Sequence, residues 1–418
     1  MTRPPKTSAR LCGRVVLVCL ATGAAAGARV WAQQPPASPL SLEAALARAL
    51  AASPTIVAAR LQRPVDVAGV GVARERPNPD VTFEAARDAP KEALGLTLPI
   101  ELGGKRQRRV DLAQATVSTG EAELERTIAE VRTDVRRAYF ELVAAEQRVV
   151  IAEAGRTLAT RARDTAQARL AARDVSQFDV VQTQLQLVDA DNEVTAARGE
   201  VTASRTELNA LLGQPADAPV TPTDTLEGGA VPLLEDALAQ ASHANAGLAV
   251  LDRQIAAQIA RRDLAKALQV PDLLPGGGVT WNAPPDFQYG WRLSLGVTVP
   301  LFTHHQAAVM QEDAELVRLR AAREAFAAQV NGAVAAALAR AAAAREQMTH
   351  FQNDALPLLL DSERMSQASY SGGQTGLATL LQALRDIREI RRHGLQAGLD
   401  YQLALADLER AIGAPIIK

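Results

Sequence analysis

The chain has 418 residues, 45 Lys and Arg against 47 Asp and Glu, and only 3% aromatic residues. That charge balance excludes a surface built on excess basic charge, so nucleic acid is not an expected partner. Few aromatics beside abundant Ala and Leu favour long helices over an aromatic globular core.

The first 32 residues read as a signal peptide. Arg3, Lys6, Arg10 and Arg14 form a cationic head, Val15 to Ala26 is apolar, and Val30-Trp31-Ala32 fits a small-x-small cleavage site. The mature chain then starts near Gln33. It carries 40 basic and 47 acidic residues, a net charge of −7. Cys12 and Cys19 both leave with the leader, so no disulfide or thiolate metal site is expected. Neither follows a Leu-small-small pattern, so no lipid anchor is expected. No later stretch reaches about 18 uncharged apolar residues, so no helix is expected to span a bilayer. A secreted chain of this kind is soluble, or it crosses a membrane as β-strands.

The rest divides into two structural repeats, 33–220 and 221–418. Residues 42–49, LEAALARA, return as LEDALAQA at 234–241; GLTLPI at 95–100 returns as GVTVPL at 296–301. Leu208, Gly213 and Pro215 return as Leu408, Gly413 and Pro415. Three matches in one order mark a duplication of one large half, far longer than a solenoid unit.

In the first repeat a short helix over 41–63 ends before Pro77 and Pro79. Strands follow at about 79–87 and 93–101, then long helices at about 102–171 and 177–212. In the second repeat a helix over 233–268 ends before Pro271 and Pro275. Strands follow at about 271–283 and 287–302, then helices at about 303–370 and 377–412, with Pro357 kinking or locally ending the first of these.

The second strand of each pair alternates with period 2. Leu94, Leu96 and Leu98 alternate with Ala93, Gly95 and Thr97; Tyr289, Trp291, Leu293, Leu295, Val297 and Val299 alternate with Arg292, Ser294, Gly296 and Thr298. The aromatics gather at the loop end, as in an interfacial girdle. One reading turns Leu94, Leu96, Leu98, Trp291, Leu293, Leu295, Val297 and Val299 toward lipid; the other lays two amphipathic hairpins on a soluble core. Nothing else in the chain resembles a layer able to cover those faces.

The helices carry coiled-coil seams. Leu124, Ile128, Val131, Val135, Ala138, Leu142, Ala145, Val149 and Ala152 alternate spacings of four and three, as do Leu187, Ala190, Val194, Ala197, Val201, Ser204, Leu208 and Leu211. A helix over 102–171 would be roughly 100 Å long at ~1.5 Å per residue. Four strands cannot close in lipid without leaving backbone groups unpaired, so a barrel shared by several chains is required, and twelve strands from three chains closes it. The expected fold is mainly α with a membrane β-barrel: a duplicated helix–strand–strand–helical-hairpin unit, trimeric, with a periplasmic coiled-coil tunnel.

The LExALxxA opening, the G-x-T-x-P strand ends and the L…G-x-P closes together resemble the outer-membrane factors of the TolC family. Residues 99–109, PIELGGKRQRR, resemble its CzcC-type heavy-metal branch. The resemblance implies an outer-membrane duct in a Gram-negative cell, a homotrimer, a periplasmic adaptor and an inner-membrane RND transporter. It also implies a tip that meets the adaptor, here Arg169, Arg173, Asp174, Val175, Ser176, Gly372, Gly373, Gln374 and Thr375. Relatives carry a ring of aspartates just after the second tip. The matching positions are Thr379 and Gln382, and their first-half counterparts are Asp179 and Gln182, so Asp179 is the candidate charge of a pore constriction.

No catalytic motif or P-loop is present: at Gly103-Gly104-Lys105 the earlier glycine is replaced by Pro99 and no Ser or Thr follows the lysine. His304-His305 is the only histidine pair and reads as polar linker; His243, His350 and His393 are isolated. Lys105, Arg106, Arg108 and Arg109 read as a solvated helix start. No cofactor, metal site or enzyme activity is expected. The competing functions are a drug-efflux or type I secretion duct, and, more remotely, a soluble periplasmic coiled-coil adaptor or scaffold.

Overall fold

The structure is a computed structural model that describes residues 38–229 and 231–415. The expected leader, with both cysteines, lies outside the described residues.

The elements run β1 Ser38–Leu40, α1 Leu42–Ala52, α2 Pro54–Arg60, α3 Gln62–Arg74, β2 Asp80–Ala85, β3 Glu92–Thr97, α4 Lys105–Ala171 and α5 Gln177–Leu211. The second half continues with β4 Val220–Pro222, α6 Leu234–Ala244, α7 Ala246–Ala267, β5 Asp272–Ala283, β6 Phe287–Thr298 and α8 Gln306–His350. A π-helical turn, Phe351–Ala355, then leads to α9 Leu356–Ser371 and α10 Leu377–Ile412. No single helix among the described residues is long and apolar enough to cross a membrane.

One four-stranded antiparallel sheet has the order β2-β3-β5-β6. Its middle contact joins the two halves, β3 to β5, with Leu94 opposite Val279 and Leu96 opposite Gly277. From the sheet descend the helices. α4 has 67 residues, about 100 Å at ~1.5 Å per residue. It packs first on α3 and α7, then on α5 and α10.

Small residues at the seam let these helices approach closely. Val131, Val135, Ala138, Leu142, Ala145 and Ala152 of α4 are buried, as are Ala190, Val194 and Ala197 of α5. Midway along, α1 and α2 lie across α4, and Leu40, Ala45, Ile56, Tyr139, Leu142, Leu208 and Leu399 form the largest core. There β1 pairs in parallel with β4, a two-stranded patch that the sequence pattern did not disclose. Tyr139 is the hub that fixes it. Its hydroxyl lies 2.8 Å from the Leu40 carbonyl and 2.7 Å from Asp224 Oδ2, and accepts the Thr223 N–H at 3.1 Å.

Several boundaries differ from expectation for local reasons. The single helix expected over 41–63 is three helices reaching Arg74. Ser53 breaks the first, with Pro54 opening the next, where its missing N–H costs nothing. α4 and α8 start at Lys105 and Gln306, because Gly104 and His305, the residues just before them, are left-handed at φ 72° and 52°. Pro357 does not end its helix. Lacking an N–H, it sits just past the wide turn, in which the Leu356 N–H reaches back five residues to the Phe351 carbonyl. Gly394 of α10 accommodates the displaced ring, since a Cβ there would lie 2.5 Å from Phe351.

The duplication extends to atomic detail. Gly213 and Gly413 end α5 and α10 in left-handed conformations. A Cβ on them would lie 2.4 Å from the Ala52 carbonyl oxygen and 2.3 Å from that of Ala244. Only glycine fits either corner.

Candidate functional site

The register sorts the sheet into two faces, because residues directly opposite share a side. One face carries Val81 and Phe83 of β2, Leu94 and Leu96 of β3, Leu273, Pro275, Val279 and Trp281 of β5, and Tyr289 to Val297 at alternate positions of β6. It is continuous and uncovered: Trp291 is 80% and Leu293 77% exposed, and Leu295, Val297, Val299 and Leu98 are also exposed. Aromatics gather at the hairpin end, where Phe83 and Trp281 stand 6.3 Å apart.

The other face carries Asp80, Thr82, Glu84, Thr97, Arg292 and Ser294 among glycines. At Gly276 and Gly278 a Cβ would come within 2.6 Å of Ser294 Oγ and the Leu94 carbonyl oxygen. Small side chains are thus required on the polar side of the central strand. Among the described residues nothing pairs with the outer edges of β2 and β6.

Sheet and helices meet at the PIELGGKRQRR segment, and here the expectation of a solvated helix start is corrected for buried Lys105 and half-buried Arg109. Lys105 is buried, with Nζ 2.8 Å from Asp272 Oδ1, which also accepts the Leu102 N–H. Arg109 donates to both carboxylate oxygens of Glu101 and, at 3.2 Å, to the Glu75 carbonyl; Arg106 donates to the Arg74 carbonyl at 2.6 Å. Two of these arginines therefore satisfy carbonyls at the end of α3, and an ion pair between buried Lys105 and half-buried Asp272 ties α4 to β5. Gly103 is left-handed and a Cβ would strike Val270 at 2.7 Å. Arg106 and Arg108 are both exposed, and Arg108 lies toward Asp111 and Asp263. The motif is a joint, and the charge pattern alone did not reveal its partners.

At the opposite end of the helices the two turns are copies offset by 200 residues. Asp174 N–H reaches the Arg169 carbonyl at 2.9 Å and Gln374 N–H reaches the Ser369 carbonyl at 2.8 Å. Arg173 and Gly373 hold the left-handed position at φ 65° and 73°. Arg173, Asp174, Gly372, Gly373 and Gln374 are exposed, and Val175 and Thr375 are half-buried.

The turns touch. Arg169 donates to the Tyr370 carbonyl at 3.1 Å and its guanidinium lies 5.1 Å from the ring centre. Burial pushes the Tyr370 hydroxyl above its usual pKa, which the Arg169 charge opposes. Ser176 and Asp179 cap α5 reciprocally: Ser176 Oγ accepts the Asp179 N–H at 3.3 Å, and Asp179 Oδ2 accepts the Ser176 N–H at 3.0 Å. Asp179, the candidate constriction charge, is thus half-buried and engaged as a cap. Gln182 is half-buried, Thr379 is exposed, and Gln382 is exposed and donates to Asp386 at 2.8 Å.

His304 is exposed and His305 half-buried. Among the described residues no three His, Cys, Asp or Glu side chains gather around a metal-sized point.

Residues 45–214 match the family model described as outer membrane efflux protein. The chain is 29% identical over 274 residues to the cobalt-zinc-cadmium resistance protein CzcC of Cupriavidus metallidurans, a match spanning 63% of this chain and 63% of that relative. In fold it is similar to the outer-membrane channel OprN, with a TM-score of 0.75 at 17% identity, covering 89% of this chain and 90% of that one. It is likewise similar to CusC, with a TM-score of 0.74 at 16% identity, covering 89% and 92%. Helix-borne sheet and paired turns agree with these likenesses: residues 45–214 are similar to the outer membrane efflux protein model, and most of the chain is similar in fold to the two channels.

Proposed function

We propose that this chain is an outer-membrane channel subunit, the passive exit duct of a tripartite RND-type efflux system in a Gram-negative cell. Three copies join β2 of one to β6 of the next and close a twelve-stranded barrel, apolar outside and polar within. The helices continue as a periplasmic tunnel. The tips around Arg173 and Gly373 meet a periplasmic adaptor, which links the duct to an inner-membrane RND transporter. Transport makes and breaks no bonds, so the chain is not an enzyme.

One observation carries the reading: a single apolar face runs uncovered across four strands whose two edges are unpaired. In water such a face and such edges are an aggregation site, whereas in a bilayer both are satisfied by closure. Glycines on the polar side of β5 suit the inside of a curved wall.

The exported substrates are heavy-metal cations. The CzcC relative is named for cobalt, zinc and cadmium resistance, and the PIELGGKRQRR joint supports the same branch. A deletion strain tests this. Sensitivity to cobalt, zinc and cadmium should rise while tolerance of a drug panel stays unchanged, with metal tolerance restored to the parental level by the gene in trans. The reverse pattern makes it a drug duct. Recovery of the protein in the soluble periplasmic fraction would sink the channel reading itself.

A further inference from the structure

All five histidines of the chain lie in the second repeat, and two of them, His350 and His393, line one groove. The groove runs between the π-helical turn and α10, at the level where Gly394 lets the Phe351 ring lie against the helix. His350 immediately precedes Phe351, and His393 immediately precedes Gly394. After the tip, α10 returns along α9 and α8 in the opposite direction. At ~100° per residue, the two histidines of such an antiparallel pair turn to the same side of the Phe351–Gly394 contact.

The first repeat is built differently at this level. There α4 runs as unbroken α-helix from Lys105 to Ala171, and the counterparts of His393 and Gly394, 200 residues earlier, are Glu193 and Val194. The wide turn, the close approach and both histidines therefore arise together, in one half only. Single π-turns inside α-helices are found mostly at functional sites.

Carboxylates stand beside both rings. Asp354, inside the wide turn, lies 3.0 Å from His350 Nδ1, and Glu346 lies 3.8 Å from its Nε2. Glu389 lies 3.9 Å from His393 Nε2. Each is four residues from its histidine, the spacing at which helical side chains meet. As the chain stands, each ring is turned to its own helix, and among the described residues no three such groups converge on a point. Nothing holds the rings there firmly. The five side chains are between 66% and 77% exposed, and ion pairs so open to water contribute little. Packed helices lie ~8–10 Å apart, a gap that an imidazole from each side can span through metal–nitrogen bonds of ~2.0–2.1 Å.

We propose that His350 and His393, with the carboxylate of Asp354, bind a divalent transition-metal ion such as zinc or cobalt across the π-helical turn and α10. Two imidazoles select such ions over magnesium and calcium, which take oxygen ligands. Three protein ligands leave a coordination position to water. The site lies within one chain, so it goes beyond the duct reading and depends neither on three copies nor on the exported substrate.

Cobalt(II) titration of the protein purified from membranes without a polyhistidine tag tests this, read by visible absorption. The parent should bind one ion per chain, displaced by zinc and not by magnesium. His350→Ala/His393→Ala should weaken binding at least tenfold and Asp354→Asn several-fold, whereas His304→Ala/His305→Ala should bind as the parent does. All these side chains but His305 are exposed, and circular dichroism checks that helix content is unchanged. Should the double variant lose helix content, His393→Gln alone carries the same expectation. Absence of saturable cobalt binding by the parent, or undiminished binding without His350 and His393, would overturn the site. Loss confined to His304→Ala/His305→Ala would overturn it too, by moving the metal to the strand-to-helix joint.

Discussion

Gly213 and Gly413 occupy the same corner of the two halves, with positive φ and a neighbouring carbonyl where a side chain would begin. Gly413→Ala should destabilise the protein by at least ~1–2 kcal/mol from the left-handed conformation alone, read as a lowered midpoint in thermal unfolding. His305 poses the opposite case. It holds φ 52° where the first half has Gly104, so His305→Gly should stabilise by about 1 kcal/mol in the same assay.

Tyr139 adds a pH dependence. Burial, helped by the hydrogen bond to Asp224, pushes its hydroxyl up to about 12 from 10. A raised folded value means that the contribution is complete below about pH 10. It is lost as pH climbs toward 12, where the unfolded tyrosine ionises first. Tyr139→Phe should be less stable at neutral pH and should show a shallower loss across that window. A parallel pH profile for the two proteins would contradict this.

At the scale of the element, Asp179 is a helix cap in the structure and the candidate constriction charge, and substitution can separate the two. Ser176→Ala keeps the carboxylate and removes a cap, so it should cost about 1 kcal/mol and speed amide exchange in the first turn of α5. Asp179→Ala removes the charge as well. If Asp179 lines the constriction, only that variant should weaken cation preference in planar-bilayer recordings. Equal selectivity in both variants would take Asp179 out of the pore wall.

For the whole molecule, the two faces of the sheet predict opposite responses to one kind of change. Leu293→Arg puts a charge at the middle of the exposed apolar face and, if that face meets lipid, should cost ~2–4 kcal/mol of bilayer-referenced stability. Ser294→Arg, one residue on, points to the polar side and should be tolerated apart from altered conductance. Similar losses at both positions would mean that both faces meet the same medium.

Much of this was legible in order along the chain. Period-2 alternation over Tyr289 to Val299 located the exposed apolar set, because strand side chains must alternate. The four-three spacing from Leu124 to Ala152 located the seam of α4, because helical side chains recur at that interval. The repeated Leu–Gly–Pro close exposed the duplication, because each half needs a glycine at its corner. Long-range partners were not legible. The pairing of β1 with β4, the pairing of Lys105 with Asp272, and the capping of α3 by Arg106 and Arg109 join residues far apart in sequence, and periodicity carries no information about them. Nor could the charged run declare that Lys105 is its buried member, since burial depends on what the fold brings beside it. Local periodicity by itself determined which elements form and which faces are apolar; the tertiary structure alone decided which faces are already covered by the chain and which are left uncovered.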